Sequence, residues 1–243
     1  MPRGSGSCAR IACSMTLQMN DLSDLMVHEA APSGLVHVPR QTGLYRNALK
    51  RGLDVFLVLA GAVVALPLIA MMAVAVSLDG HSPFYYSDRV GKNGRVFRML
   101  KLRTMVPGAD RMLRDYLASN EAARKEWNSK QKLAVDPRVT RIGHFLRKSS
   151  LDELPQLWNV LTGDMSLVGP RPMLPEQRDL YCGLSYYALR PGVTGLWQVS
   201  ERNAVDFSRR AEIDRQYERD LTFLGDLRIL AATLRVVVKG TGC

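Results

Sequence analysis

The residues that could do chemistry in this 243-residue chain crowd into Lys148–Pro172, KSSLDELPQLWNVLTGDMSLVGPRP. Asp152 and Glu153 are adjacent carboxylates at the mouth of a short apolar helix. Asp164 follows in a loop bounded by glycine and proline, and Arg171 stands between Pro170 and Pro172. Arg138, Arg141, Arg147 and Lys148 crowd the approach. Carboxylates that can hold a metal, cations that can hold phosphates and turns that fix both suit phosphoryl chemistry. The acidic pair also has a plain structural reading, in which Asp152 only caps the helix and Glu153 only complements its dipole. Arg171, held in a Pro-Arg-Pro turn among so many cations, tips the reading toward function.

Several elements must position these groups. Leu154, Leu157, Trp158 and Leu161 recur at three- and four-residue spacing, which predicts a helix with one apolar face. Gly163 stands where a C-cap glycine belongs. At the start, Ser150 and Glu153 fit a capping box, whereas Asp152 as N-cap leaves Pro155 in the first turn, where a missing N–H costs little. Upstream, Pro83–Met105 divides at Gly91-Lys-Asn-Gly94 into two runs with some apolar/basic alternation, which predicts a hairpin. Val96, Met99 and Leu102 would supply a core face, and Lys101 and Arg103 share a face if that piece is a strand. Ala109–Trp127 reads as one amphipathic helix and Pro175–Tyr187 as a polar one. Arg190–Gln198 reads as a turn-rich loop in which Gln198 is a structural amide or a reader of sugar or base. Phe207–Tyr217 and Leu224–Lys239 read as closing helices; the second, apolar and repeatedly basic, suits either the core or a membrane interface.

The net charge of +10 favours an anionic partner: nucleic acid, membrane surface or phosphorylated substrate. No helix-turn-helix, RRM or zinc signature supports nucleic acid. The four cysteines lack ligand or disulfide spacing. P-loop, GxGxxG and GxSxG motifs are absent. Val55–Leu78 holds 24 residues without a charge, enough to cross a bilayer core of about 30 Å. Pro67 divides it into runs of 12 and 11, each spanning only about half that thickness. Arg46, Lys50 and Arg51 precede it, and Arg89, Lys92, Arg95, Arg98, Lys101 and Arg103 follow. Basic flanks on both sides suit a helix that enters, bends at Pro67 and leaves on the same side. A spanning helix with a proline kink is the alternative.

Three blocks then carry a resemblance: KLRTM at Lys101–Met105, DPRVTRIGHFLRKSSLDELPQLWNVLTGDMSLVGPRP at Asp136–Pro172, and RPGVTGLWQVS at Arg190–Ser200. The chain after Gly52 resembles the bacterial sugar transferases, monotopic phosphoglycosyl transferases that begin exopolysaccharide and glycoconjugate synthesis. One departure is Glu201, where the family often has glycine. The resemblance implies transfer of hexose 1-phosphate, glucose or galactose, from a UDP-hexose to polyprenyl (undecaprenyl) phosphate, with UMP released. It implies Asp152 as nucleophile and Glu153 as its magnesium or proton partner, with Mg²⁺ on the pair and Asp164 a weaker ligand. Arg171 would clamp a phosphate, and Lys101, Arg103, Arg147 and Lys148 would bind diphosphate or lipid phosphate. The helix N-terminus and nearby cations would keep Asp152 ionised. Direct transfer in a ternary complex, or a non-catalytic membrane-anchored glycolipid-binding protein, are the rival readings. The expected fold is α+β and helix-dominated. Residues 1–44 would be poorly ordered, with a short helix near Asp21–Ala30. Residues 45–80 would form the re-entrant element and 81–243 a cytoplasmic catalytic domain at the inner membrane, with a minor hairpin. Membrane lipids are expected partners, nucleic acid is not, and a homodimer is left open.

Overall fold

The computed structural model describes residues 43–130, 133–181, 183–200 and 207–238. The expectations for the N-terminal helix at 21–30 and for Glu201 lie outside them. A π-helical turn, Tyr45–Leu49, leads into α1, Lys50–Ser77, which continues through Pro67 without a break. Among the described residues, α1 alone is long and apolar enough to cross a membrane. Its middle is left bare: Phe56, Leu59, Val63, Val64, Leu66, Met71 and Val74 are exposed. Both of its ends, by contrast, pack on the same body. Val58 joins Phe97, Met99, Val160 and Met165, and Val76 joins Leu102 and Leu146.

The hairpin is present as β1, Phe84–Val90, and β2, Val96–Leu102, in antiparallel register from Phe84–Leu102 to Val90–Val96. The turn between them passes through Asn93 at φ 57° and Gly94 at φ 77°. Phe97 and Met99 enter one core cluster from one face and Leu102 enters another from the opposite face; Val96, expected inside, is exposed. The strand's free edge explains the order that follows. Asn159 accepts from Leu100 N and donates to Arg98 O, both at 2.9 Å, standing in for a third strand. Asn159 lies on α5, Gln156–Thr162, so this amide fixes the central helix against β2.

Ala109–Trp127 is not one helix. α2, Ala109–Ser119, and α3, Glu121–Lys130, meet at Asn120, whose backbone is extended and whose Oδ1 accepts from Ala123 N at 3.0 Å. An Asx-type cap is a competing partner for the backbone there. Next comes α4, Arg141–Ser149, capped by Thr140 Oγ1, which accepts from Gly143 N at 2.9 Å. A Cβ on Gly143 would stand 2.0 Å from Thr104 O, so only glycine lets α4 lie on the chain leaving β2.

The central stretch opens with a 3₁₀ turn, Leu151–Glu153, entered from Ser150 in the left-handed region. α5 then runs to Gly163, a C-cap at φ 90° as expected. Trp158 departs from the expected apolar face and is 61% exposed, because Leu157, Val160 and Leu161 fill the contact with α1 and β2.

The remaining strands come from regions without strand-like alternation. β3, Ser166–Val168, pairs in parallel with β4, Gly192–Thr194, inside what reads as a loop. Approach this close needs glycine on both sides: a Cβ on Gly195 would fall 2.0 Å from Gly169 O. Pro175–Leu180 is a 3₁₀ turn and only α6, Ser185–Ala188, is helical, so Pro175–Tyr187 is not a continuous helix. α7, Leu196–Ser200, precedes the closing helices α8, Phe207–Arg219, and α9, Phe223–Val238. Ile229 of α9 enters the core with Val168 and Tyr217, while Leu224 and Leu234 stay exposed.

Candidate active site

The 3₁₀ turn places Asp152 and Glu153 under the end of β2. Lys101 Nζ lies 2.7 Å from Glu153 Oε1 and 4.0 Å from Asp152 Oδ2, bridging the pair. Arg147, one turn beyond Gly143, donates from Nε to Thr104 Oγ1 at 2.9 Å and adds its charge near Asp152. Asp152 is 8% exposed and caps nothing with its side chain among the described residues. Burial pushes its carboxyl up to about 6, against the pull of Lys101 and Arg147; Glu153 beside it pushes the same way. Loss of water is the larger influence, and Lys101 and Arg147 offset part of it. At pH 7 about nine-tenths of it is still ionised.

The other sequence candidates divide. Lys101 and Arg147 join the dyad. Arg103 does not share their face: the strand ends at Leu102, and Arg103 makes a two-pronged ion pair with Asp79 at 2.6 and 2.7 Å and donates to Ser82 O. It ties β2 to the segment that leaves α1. Lys148 is exposed at the end of α4. Asp164 accepts from Thr162 Oγ1 at 3.0 Å and stands beyond the far end of α5 from the dyad. Gln198 is buried on α7 and donates to Val193 O at 3.3 Å. Arg138 is bound to Asp136 through Nε and Nη2 and lies over the Trp127 ring. Arg171 has its guanidinium 5.8 Å from the Trp197 ring centroid.

Two residues beside Arg171 escape a motif-based reading. Arg89 reads as one more basic flank, yet Val90 N donates to Met173 O at 3.0 Å, which lays Arg89 along the Pro-Arg-Pro turn. Arg210 looks like solvent-facing charge on a polar helix. Its i,i+4 relation to Asp214, flanked by the buried Ala211, Ile213 and Tyr217, is the signal that it points inward.

Among the described residues, no cluster of three or more His, Cys, Asp and Glu side chains is present. Two carboxylates fit a magnesium ion that takes its remaining ligands from water and substrate phosphates. The Lys101 ammonium already holds the cationic position between them.

A family model for the bacterial sugar transferases matches residues 45–240. The chain belongs to the bacterial sugar transferase family. The UDP-galactose-lipid carrier transferase of Erwinia amylovora is 46% identical over 196 residues, 80% of this chain and 41% of that protein. The undecaprenyl-phosphate galactose phosphotransferase of Salmonella typhimurium is 44% identical over 233 residues, 94% of this chain and 48% of that protein. The chain thus spans about half the length of these curated relatives. Against the exopolysaccharide production protein ExoY of Sinorhizobium fredii it is 42% identical over 211 residues, 84% of this chain and 93% of that one. Within the matched region, Asp152, Glu153, Lys101 and Arg147 are the charged side chains that the fold brings together.

Proposed function

We propose that this sugar transferase moves hexose 1-phosphate from a UDP-hexose to undecaprenyl phosphate, with UMP released, as the first membrane step of exopolysaccharide synthesis. The names of two relatives favour galactose as the hexose. The observation that carries the reading is Asp152: a buried carboxylate pushed up to about 6 by loss of water, with cations at its flank and no helix cap among the described residues. A desolvated carboxylate is a better nucleophile than a solvated one, and it is still charged at neutral pH.

Asp152 attacks the β-phosphorus of the donor. The new carboxylate–phosphorus bond forms as the bond from phosphorus to the bridging oxygen breaks, and its electron pair leaves on UMP. A phosphate oxygen of the lipid then attacks the same phosphorus, and the electron pair returns to Asp152. Lys101 and Arg147 reduce the repulsion between Asp152 and an anionic donor. Glu153, held by Lys101, orients that ammonium toward both carboxylates. Magnesium, when bound by Asp152 and Glu153, would neutralise diphosphate charge.

The membrane arrangement follows the same reading. Val58 and Val76 are separated by about 27 Å of straight helix. The residues they pack on, Phe97 and Leu102, lie about 17 Å apart along β2. Ends held on one body with a bare apolar middle support a helix that dips into one leaflet and returns, turning at Pro67. The catalytic residues would then lie at headgroup level on the cytoplasmic face, where the lipid phosphate and UDP-sugars meet.

A single-turnover reaction tests this function: UDP-galactose labelled in the sugar and β-phosphate, no lipid, with wild type and Asp152→Asn analysed by mass spectrometry. A hexose-phosphate adduct on Asp152 with stoichiometric UMP is expected. UMP that appears only after polyprenyl phosphate is added would instead indicate direct transfer.

A further inference from the structure

The arginines beside the Pro-Arg-Pro turn form a group of their own. Tyr186 hydroxyl is the pin: it donates to Val90 O and accepts from Met173 N at 3.1 Å. The residue after Arg89 and the residue after Pro172 are thereby locked together, and Arg89 Nη1 reaches Pro172 O at 3.4 Å. Arg171 and Arg210 approach the Trp197 ring at 5.8 and 6.0 Å. The charges of Arg89 and Arg210 are both felt against Arg171, and Arg89 also senses Glu153 of the dyad. Among the described residues, Arg89 Nε and Trp197 Nε1 are buried donors without an acceptor. Buried N–H groups are ordinarily satisfied, so two such donors among three guanidinium groups call for an anion.

We propose that Arg89, Arg171, Arg210 and the Trp197 indole N–H form one phosphate-monoester site beside the dyad, filled first by the nucleotide's phosphate and then by the lipid's. The proposal rests on the transferase reading above and adds Arg89, Arg210 and Trp197 to it. In-line displacement supplies the reason for double use. Asp152 attacks the donor's β-phosphorus on the side opposite the departing UMP oxygen. The lipid oxygen must then attack opposite the Asp152–phosphorus bond, which is the side that UMP vacated. The leaving group and the incoming nucleophile are both phosphate monoesters, so a single set of donors serves each in turn. The guanidinium forks match phosphate oxygens, and the indole N–H supplies a neutral donor.

The test is direct binding with the full chain in phosphatidylcholine nanodiscs, using labelled UMP, with uridine and polyprenyl phosphate as competitors. Wild type should bind UMP, polyprenyl phosphate should displace it, and uridine should compete poorly. Arg89→Gln should weaken UMP by about tenfold or more, and Trp197→Phe, which keeps the ring packing but removes the N–H, by about threefold to tenfold. Wild-type affinity in both variants, no UMP binding by wild type, or failure of the lipid phosphate to displace UMP would each overturn the proposal. Adduct formation on Asp152, followed in the same samples, separates the two readings. An adduct with unaltered UMP affinity in the variants sinks the anion site alone. Variant-sensitive UMP binding without any adduct sinks the covalent transfer and leaves the site standing.

Discussion

Asp226 and Asp152 are both buried carboxylates close to a lysine, and they are built in opposite ways. Asp226, 1% exposed on α9, receives Tyr45 and Lys50 on Oδ2 at 2.6 Å each and Tyr217 on Oδ1 at 2.8 Å. Those donors come from the foot of α1 and from α8, so Asp226 is the knot that holds the apolar helix to the catalytic body. Arg46–Glu218 at 2.6 Å and Asp54, which accepts from Ser166 Oγ and Leu167 N, reinforce it. Asp152 has Lys101 at 4.0 Å and a carboxyl raised to about 6 by burial. Charge-assisted hydrogen bonds to three donors make a buried acid structural; burial that raises a carboxyl costs stability. One fold uses the first kind to hold the second in position.

The strongest break in the comparison is Asp152→Asn. Loss of the nucleophile should lower transfer by about 10³-fold or more. The same change should stabilise the protein. Asp152 has a folded value of about 6 against an ordinary 3.8, so the native state holds the proton more tightly between those values. Its contribution is therefore most favourable at low pH and declines as pH rises from about 4 through 6. The cost at pH 7 is about 3 kcal/mol, and the amide should recover about 1–3 kcal/mol of it. Denaturant unfolding in EDTA at pH 7 and at pH 4 checks both parts: the variant's advantage should be present at pH 7 and largely gone at pH 4.

Asp226→Ala should do the reverse. It leaves the Lys50 ammonium and two tyrosine hydroxyls buried without their acceptor, at a cost of about 3–5 kcal/mol. Unfolding should shift accordingly, and the protein that remains folded should retain the acid limb of wild type.

That limb is the next distinction. Transfer should fall about tenfold per pH unit below pH 6, as Asp152 takes up a proton. Lys101 lowers Asp152, so Lys101→Met should move the limb to higher pH and reduce activity at pH 7. A profile of kcat/KM against pH for the two proteins checks it; an unmoved limb would mean that Lys101 acts only on Glu153.

The sequence marked the acidic pair and hid its surroundings, for physical reasons. The hairpin, α1, the Gly163 cap and the closing helices follow from local periodicity and turn chemistry, and they are present. β3 and β4 are three residues each and form only because Gly169 and Gly195 allow two distant segments to touch. No local alternation announces a pairing of that kind. Trp158 obeys the helical period and still faces outward, because period marks a face and not its neighbour. Arg103 lies in the KLRTM motif beside Lys101, but the end of the strand sends the two side chains to different partners. Asp226 carries no motif at all. Its importance lies in Tyr45 and Lys50, 181 and 176 residues away.

The finest probe of the comparison removes one oxygen. Tyr217 hydroxyl has one proton and two acceptors in reach, Asp226 Oδ1 at 2.8 Å and Val168 O at 3.1 Å. The charged acceptor is the stronger, and burial beside it holds the phenol well above its ordinary ionisation range, so the proton stays in place. Tyr217→Phe takes one of three donors from Asp226 and leaves Tyr45 and Lys50. The expected loss is about 1–2 kcal/mol of stability, with no movement of the acid limb, since the change is made at the knot and not at the dyad. If the limb moved with Tyr217, the two carboxylates would be coupled through α1 and β3, and the division between a structural acid and a reactive one would fail.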